Sequence, residues 1–216
     1  MGPSKYDPQF HHRKSIRLQG YDYSLAGMYF ITICAHKHTH HFGHIVVGAG
    51  LAPAHLAQDS KSQEEAHMIL NDFGQIAHNE WNGLPNRFKN SFLREFQVMP
   101  NHIHGIIGID HNYKPAADER VYAISDIVGA YKSLVANGCL DVYMRNWEMK
   151  ASNVSGSSAS IRAGAGTSPA PTMGKIWQRN YYEHIIRDEE SYNKIANYIV
   201  NNPANWKTDQ FYTVNP

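Results

Sequence analysis

The chain has 216 residues, of which 42% are hydrophobic and 18% charged, and its formal net charge is +1. That length and balance predict a single soluble globular domain spanning 1–216, with no apolar run near the roughly 20 residues of a membrane span. Bulk charge announces no polyanion partner. The only two cysteines, Cys34 and Cys139, are too few and too far apart for a disulfide framework or a zinc ribbon. A reducing, cytoplasmic setting is therefore expected, and Met1–Asp7 lacks the apolar core of a secretory leader.

In chain order, the first local feature is a basic run, His11-His12-Arg13-Lys14 followed by Arg17, which on charge alone reads as solvated surface. Gly27–Cys34 (GMYFITIC) is aromatic and β-branched after a turn glycine, and predicts a strand. His36, His38, His40, His41 and His44 then form a polar cluster that reads as a surface loop, and His44–Val47 predicts a short second strand. Composition shifts to Gly, Ala and Pro at about 48–63, which predicts a loop insertion. From Glu64 to Trp81 the apolar positions Met68, Ile69, Phe73, Ile76, Ala77 and Trp81 recur at helical spacing, so a helix is expected there.

Ser91–Val98 and Asn101–Ile109 predict strands divided or bulged at Pro100. Ser125–Val135 predicts a helix capped by Ser125. Residues 151–172, rich in Ser, Gly, Ala and Pro, predict a second loop insertion. Lys175–Gln178 reads as a strand or turn. The last helix is expected from Asp188, a plausible N-cap with acidic residues after it, to a stop at Pro203. Strands dominate the first half and helices are interspersed, so the class is α+β with a mostly antiparallel sheet.

The stretch Phe96–Ile109 contains His102-Ile103-His104. On a strand these two imidazoles share one face while Ile103 points into the other layer. A histidine pair is poor core material and a good start on a divalent-metal site. On the last helix, Tyr198 and Asn202 are four residues apart and so lie on one face, beside the apolar stripe of Ile195 and Ile199. A phenol and an amide oxygen brought to a histidine pair suggest attack by tyrosine on a phosphodiester, with the metal polarising the phosphate. The phenol's ordinary pKa is about 10, so its proton needs an acceptor that the sequence does not identify.

These motifs, in this order, resemble those of REP-associated tyrosine transposases, in the single-tyrosine HUH endonuclease superfamily. The matching segments are Arg13–Leu18 with Tyr21-Asp22-Tyr23, Gly27–Cys34, Val98–Gly105, Trp177–Glu189 and Tyr198–Pro203. They span nearly the whole chain apart from the two insertions. The resemblance implies a ferredoxin-like or RRM-like sheet with helices packed on it. It also implies an enzyme that nicks and rejoins single-stranded DNA near hairpins through a 5′-phosphotyrosine intermediate. Carried onto this chain, it makes Tyr198 the nucleophile, His102 and His104 metal ligands, and Asn202 the third ligand, with Mg²⁺ or Mn²⁺ suited to the mixed donor set.

Tyr181 and Tyr182 compete for the nucleophile's role. His184, three residues after Tyr181, would share a helical face with it, and is an alternative catalytic group or a partner to the metal's ligands. Tyr198 is preferred because the family places its tyrosine before the Asn-Pro helix end. Arg13, Lys14 and Arg17 beside Tyr21 and Tyr23, and Arg179 beside Tyr181 and Tyr182, have the basic-aromatic composition of a single-strand DNA surface. A degenerate relative that binds hairpins without cutting is the alternative, as is a metal-dependent hydrolase that uses water. A cytoplasmic, nucleoid-associated monomer or homodimer is expected.

Overall fold

The computed structural model describes residues 22, 25–48, 65–154 and 172–214. Both expected insertions fall largely outside these residues, as do Arg13, Lys14 and Arg17. The elements are β1 (Gly27–Cys34), a 3₁₀ turn (His36–His38), β2 (Gly43–Gly48), β3 (Glu65–Leu70), α1 (Asp72–Asn82) and α2 (Leu84–Arg87). They continue with β4 (Ser91–Val98), β5 (His102–Ile109), α3 (Ile124–Val154), β6 (Tyr182–Ile186), α4 (Glu189–Asn201) and a 3₁₀ turn (Trp206–Thr208).

Four strands form one antiparallel sheet in the order β4-β5-β1-β6, and β2 pairs with β3 as a separate hairpin. With α1 and α3 as the two crossovers, β1, β4, β5 and β6 follow the β-α-β-β-α-β path of ferredoxin-like folds. The mixed α+β architecture expected from the sequence is present.

Side chains of the sheet alternate between two layers. Tyr29, Ile31, Ile33, Ile103 and Ile107 pack with Trp81 of α1 and with Ile127, Val128, Tyr131 and Val135 of α3. The opposite face carries a smaller core of Ile106, Ile186 and Ile199, flanked by Met28, Phe30, Tyr192 and Ile195. This second face is where α4 docks. Trp81 lies directly on Gly105, where an added Cβ would come within 2.3 Å of the indole. Glycine at that position is therefore what lets α1 approach the central strand.

Several local expectations are corrected. Glu64–Trp81 is not one helix. Residues 65–70 pair with β2, Met68 and Leu70 turn partly inward while His67 and Ile69 face out, and the helix starts only at Asp72. Asn71 sets that boundary, because its side chain accepts from the Gly74 N–H at 2.9 Å and so caps the helix. Ser125 lies inside α3; the Ala123 carbonyl accepts the first helical N–H groups, and Asp126 reaches back to the Ala123 N–H. α3 continues to Val154, so the first residues of the expected 151–172 loop are helical. The strands are divided at Pro100, one of the two expected alternatives, and the bulge-like register shift lies elsewhere, between Leu93 and Phe96. Tyr182–Ile186 is a strand, so Tyr182 and His184 share a face and Tyr181 and His184 do not share a helical one.

Candidate active site

His102 and His104 sit on the central strand β5, fully buried, with ring centroids 4.4 Å apart. Their orientation comes from the layers just described: Ile103 is held in the larger core, which turns both imidazoles toward α4. Hydrogen bonds then set their chemistry. The Asn101 amide nitrogen donates to the His38 and Phe211 carbonyls and to Thr213 Oγ1. That leaves Asn101 Oδ1 facing His102 Nδ1 at 2.8 Å, as an acceptor. A carbonyl oxygen cannot donate, so Nδ1 carries the proton and Nε2 carries a lone pair. His102 Nε2 is buried and has no hydrogen-bond partner among the described residues.

His104 Nδ1 meets Thr32 Oγ1 of β1 at 2.8 Å, and its Nε2 lies 3.1 Å from the Tyr198 hydroxyl. Burial holds both imidazoles neutral. It drives His102 well below the usual histidine range and takes His104 down to about 4. A neutral ring with its Nε2 lone pair directed into the site, as in His102, is the form that binds metal.

Tyr198 projects from α4. Asp188 caps that helix by accepting from the Ser191 N–H at 2.7 Å, and the Tyr192 hydroxyl donates to Glu95 of β4 at 2.9 Å. The helix is thus tied to the sheet at its first turns, and Ile199 buries its lower face. The Tyr198 hydroxyl donates to Asp209 Oδ2 at 2.8 Å, and Asn202 Nδ2 donates to the same oxygen at 2.8 Å. Asp209 Oδ1 accepts from the Phe211 N–H. Burial, and then Asp209, raise the phenol's pKa well above its ordinary value, so Tyr198 holds its proton.

Ligand atoms of His102, His104 and Asp209 all lie within 4.8 Å of one another, and this trio can hold a metal ion. Asn202 is fully buried at the C-terminal end of α4, and among the described residues its Oδ1 also has no hydrogen-bond partner. Two buried lone pairs without partners, on His102 and Asn202, beside a carboxylate and a second neutral imidazole, fit a divalent cation with a mixed nitrogen and oxygen preference.

Of the residues singled out from the sequence, His102, His104, Tyr198 and Asn202 converge, and they do so within one chain. Tyr182 and His184 lie on the exposed edge strand β6, in the rows next to Thr32 and Phe30. Tyr182 packs against Phe211 rather than against the histidines, at 6.1 Å between centroids. Tyr181 packs against the larger core. Arg179 is exposed just before β6, in a segment whose carbonyls at 178, 179 and 180 are all gathered by Lys132 Nζ.

Sequence reasoning missed Asp209, Asn101 and the aromatic cover of Phe211 and Trp206 over His102. Asp209 follows a helix stop and a short 3₁₀ turn, and no spacing signal connects it to a strand more than a hundred residues earlier. Asn101 adjoins His102 in sequence, but its orientation depends on acceptors at His38, Phe211 and Thr213, which no local pattern reveals.

The fold and the site define the chain as an α+β protein in which a ferredoxin-like sheet presents two buried histidines, with half-buried Asp209 beside them, to a helix-borne tyrosine. It belongs to one family with an uncharacterized protein of Haemophilus influenzae, to which it is 37% identical over 216 residues, covering 97% of this chain and 98% of that one. No protein-family model matches it. Among solved structures it is similar to a REP-associated tyrosine transposase bound to a REP hairpin. That match has a TM-score of 0.44 and 15% identity, over 87% of this chain and 73% of the other. It is also similar to a putative transposase from Deinococcus radiodurans, with a TM-score of 0.35 and 16% identity, over 86% and 95% of the respective chains. Among the described residues no helix is long and apolar enough to cross a membrane.

Proposed function

We propose that this protein is a divalent-metal-dependent transposase that nicks and rejoins single-stranded DNA near hairpin repeats, with Tyr198 as its nucleophile. The observation that carries this reading is the Tyr198 hydroxyl, 3.1 Å from Nε2 of a buried, neutral histidine whose neighbour His102 keeps a free lone pair. The residues that would hold the metal are His102, His104 and an oxygen from Asn202 or Asp209. A bound Mg²⁺ or Mn²⁺ would polarise the scissile phosphate and offset charge developing on its oxygens.

The chain's own residues account for the rest. Tyr198 Oη forms a bond to phosphorus while the bond from phosphorus to the 3′ oxygen breaks, leaving a 5′-phosphotyrosine and a 3′ oxygen that takes up a proton. Because the phenol is held protonated, its proton must go to a neighbour, and Asp209 Oδ2 is already in place at 2.8 Å. Asn202, donating to the same carboxylate, keeps that acceptor aimed at the hydroxyl. Microscopic reversal by a 3′-OH would rejoin the strand.

One gel tests the reading. Labelled single-stranded hairpin DNA incubated with the protein and Mn²⁺ should yield a protein–DNA adduct that survives denaturation. EDTA and Tyr198→Phe should each abolish it, and Tyr182→Phe should not. An adduct that persists in Tyr198→Phe and disappears in Tyr182→Phe would overturn the choice of nucleophile. No adduct with any hairpin would leave a protein that binds hairpins without cutting them.

A further inference from the structure

A recess of about 260 Å³ opens beside the site, lined by Phe30 and Thr32 of β1, by Tyr182, Glu183 and His184 of β6, and by Gln210 and Phe211 of the C-terminal segment. Resting on the reading of the protein as a single-strand DNA enzyme, we propose that this recess seats one unpaired nucleobase of the strand presented to Tyr198, stacked on Tyr182.

Four observations converge on that occupant. The recess falls just below the roughly 300 Å³ at which pockets begin to enclose drug-sized molecules, and so suits a single planar ring system. Its walls are aromatic, and Tyr182 exposes 49% of its surface on the edge strand with no core function to explain it. A base π-face stacks on such a ring whatever its sequence. Gln210 and His184 supply side-chain donors and acceptors beside that ring for the edge of a base.

Position supplies the fourth observation. His104, Thr32 and Tyr182 are register partners in one row across β5, β1 and β6. Two strand spacings, about 10 Å, therefore separate the histidine from the tyrosine backbone. One or two nucleotides cover that span. Phe211 links the two places directly: its ring is 4.8 Å from His102 and 6.1 Å from Tyr182, so the recess and the histidine pair share a wall. Exposed Arg179 and Arg187 bracket β6 in sequence and supply positive charge for the adjoining phosphates.

The test is binding by fluorescence anisotropy without metal, using labelled dT12, dA12 and a 12-mer made wholly of abasic sites. Tyr182→Ala should weaken dT12 and dA12 about ten-fold and leave the abasic strand unchanged, while Tyr182→Phe stays within about two-fold of the parent on all three. Arg179→Ala should weaken all three alike, with a shallower salt dependence. Equal loss on the abasic strand, or no loss on dT12 and dA12, overturns the base seat. Circular dichroism melting confirms that the exposed substitution leaves the fold intact. If the wild type binds dT12 as expected yet forms no adduct with hairpins, the nicking chemistry fails and the base seat stands. If adducts form while Tyr182→Ala binds every strand like the parent, the reverse holds.

Discussion

Asn101 decides which nitrogen of His102 carries the proton, and it does so only because three acceptors from distant parts of the chain take both of its amide hydrogens. Replacing it should therefore act on the metal site without touching a ligand. Asn101→Ala is expected to weaken Mn²⁺ binding by about 10- to 100-fold, read by calorimetry. Equal affinities for parent and Ala variant would show that the tautomer is set elsewhere. Gly105 is the other residue whose identity is dictated locally. An alanine there meets the Trp81 indole, which is stacked on Phe96 at 4.5 Å and faces Tyr131 edge-on, so the indole has little room to yield. Gly105→Ala should cost about 1–3 kcal/mol in urea unfolding.

At the scale of elements, α4 is the part that must be placed to within a fraction of an ångström, since it delivers Tyr198. Its N-cap was legible: an aspartate, two acidic residues and then an apolar stripe describe the start of a helix, and Asp188 caps it. Asp188→Ala should lower the midpoint of chemical denaturation, and no change would mean that the Tyr192–Glu95 tie alone holds the helix start. The segment from Glu64 shows where local pattern misleads. Met68, Ile69, Phe73, Ile76 and Trp81 satisfy a helical period by chance across two elements. What the period does not encode is that β2 needs a strand partner and that Asn71 caps at the junction. The Ser125 cap failed for a related reason, because Asp126 one residue later made the reach back to the backbone.

For the whole molecule, acid is the informative perturbation. His104 has a folded pKa of about 4 and an unfolded one of about 6.5, so between those values the unfolded chain binds a proton that the folded chain excludes. Stability is fully present above about pH 6.5 and is lost as pH falls toward 4, by about 3 kcal/mol for His104, with His102 acting in the same direction. Urea midpoints measured at pH 7, 5.5 and 4.5 should fall in that order, and His104→Gln should flatten the slope. A midpoint that does not move between pH 7 and 4.5 would mean that the imidazoles are hydrated rather than buried.

The α+β class, the faces of β5, the pairing of His102 with His104, and Tyr198 one turn before Asn202 were all determined by the sequence alone. Each rests on a short-range period, two for the strand and about 3.6 for the helix, that needs no partner to be read. Asp209, the Asn101 brace and the aromatic recess at Tyr182 were decided only by the tertiary structure. They depend on a chain end folding back across β5 and on β6 taking the sheet edge beside β1. Contacts between segments a hundred residues apart leave no local periodicity to read.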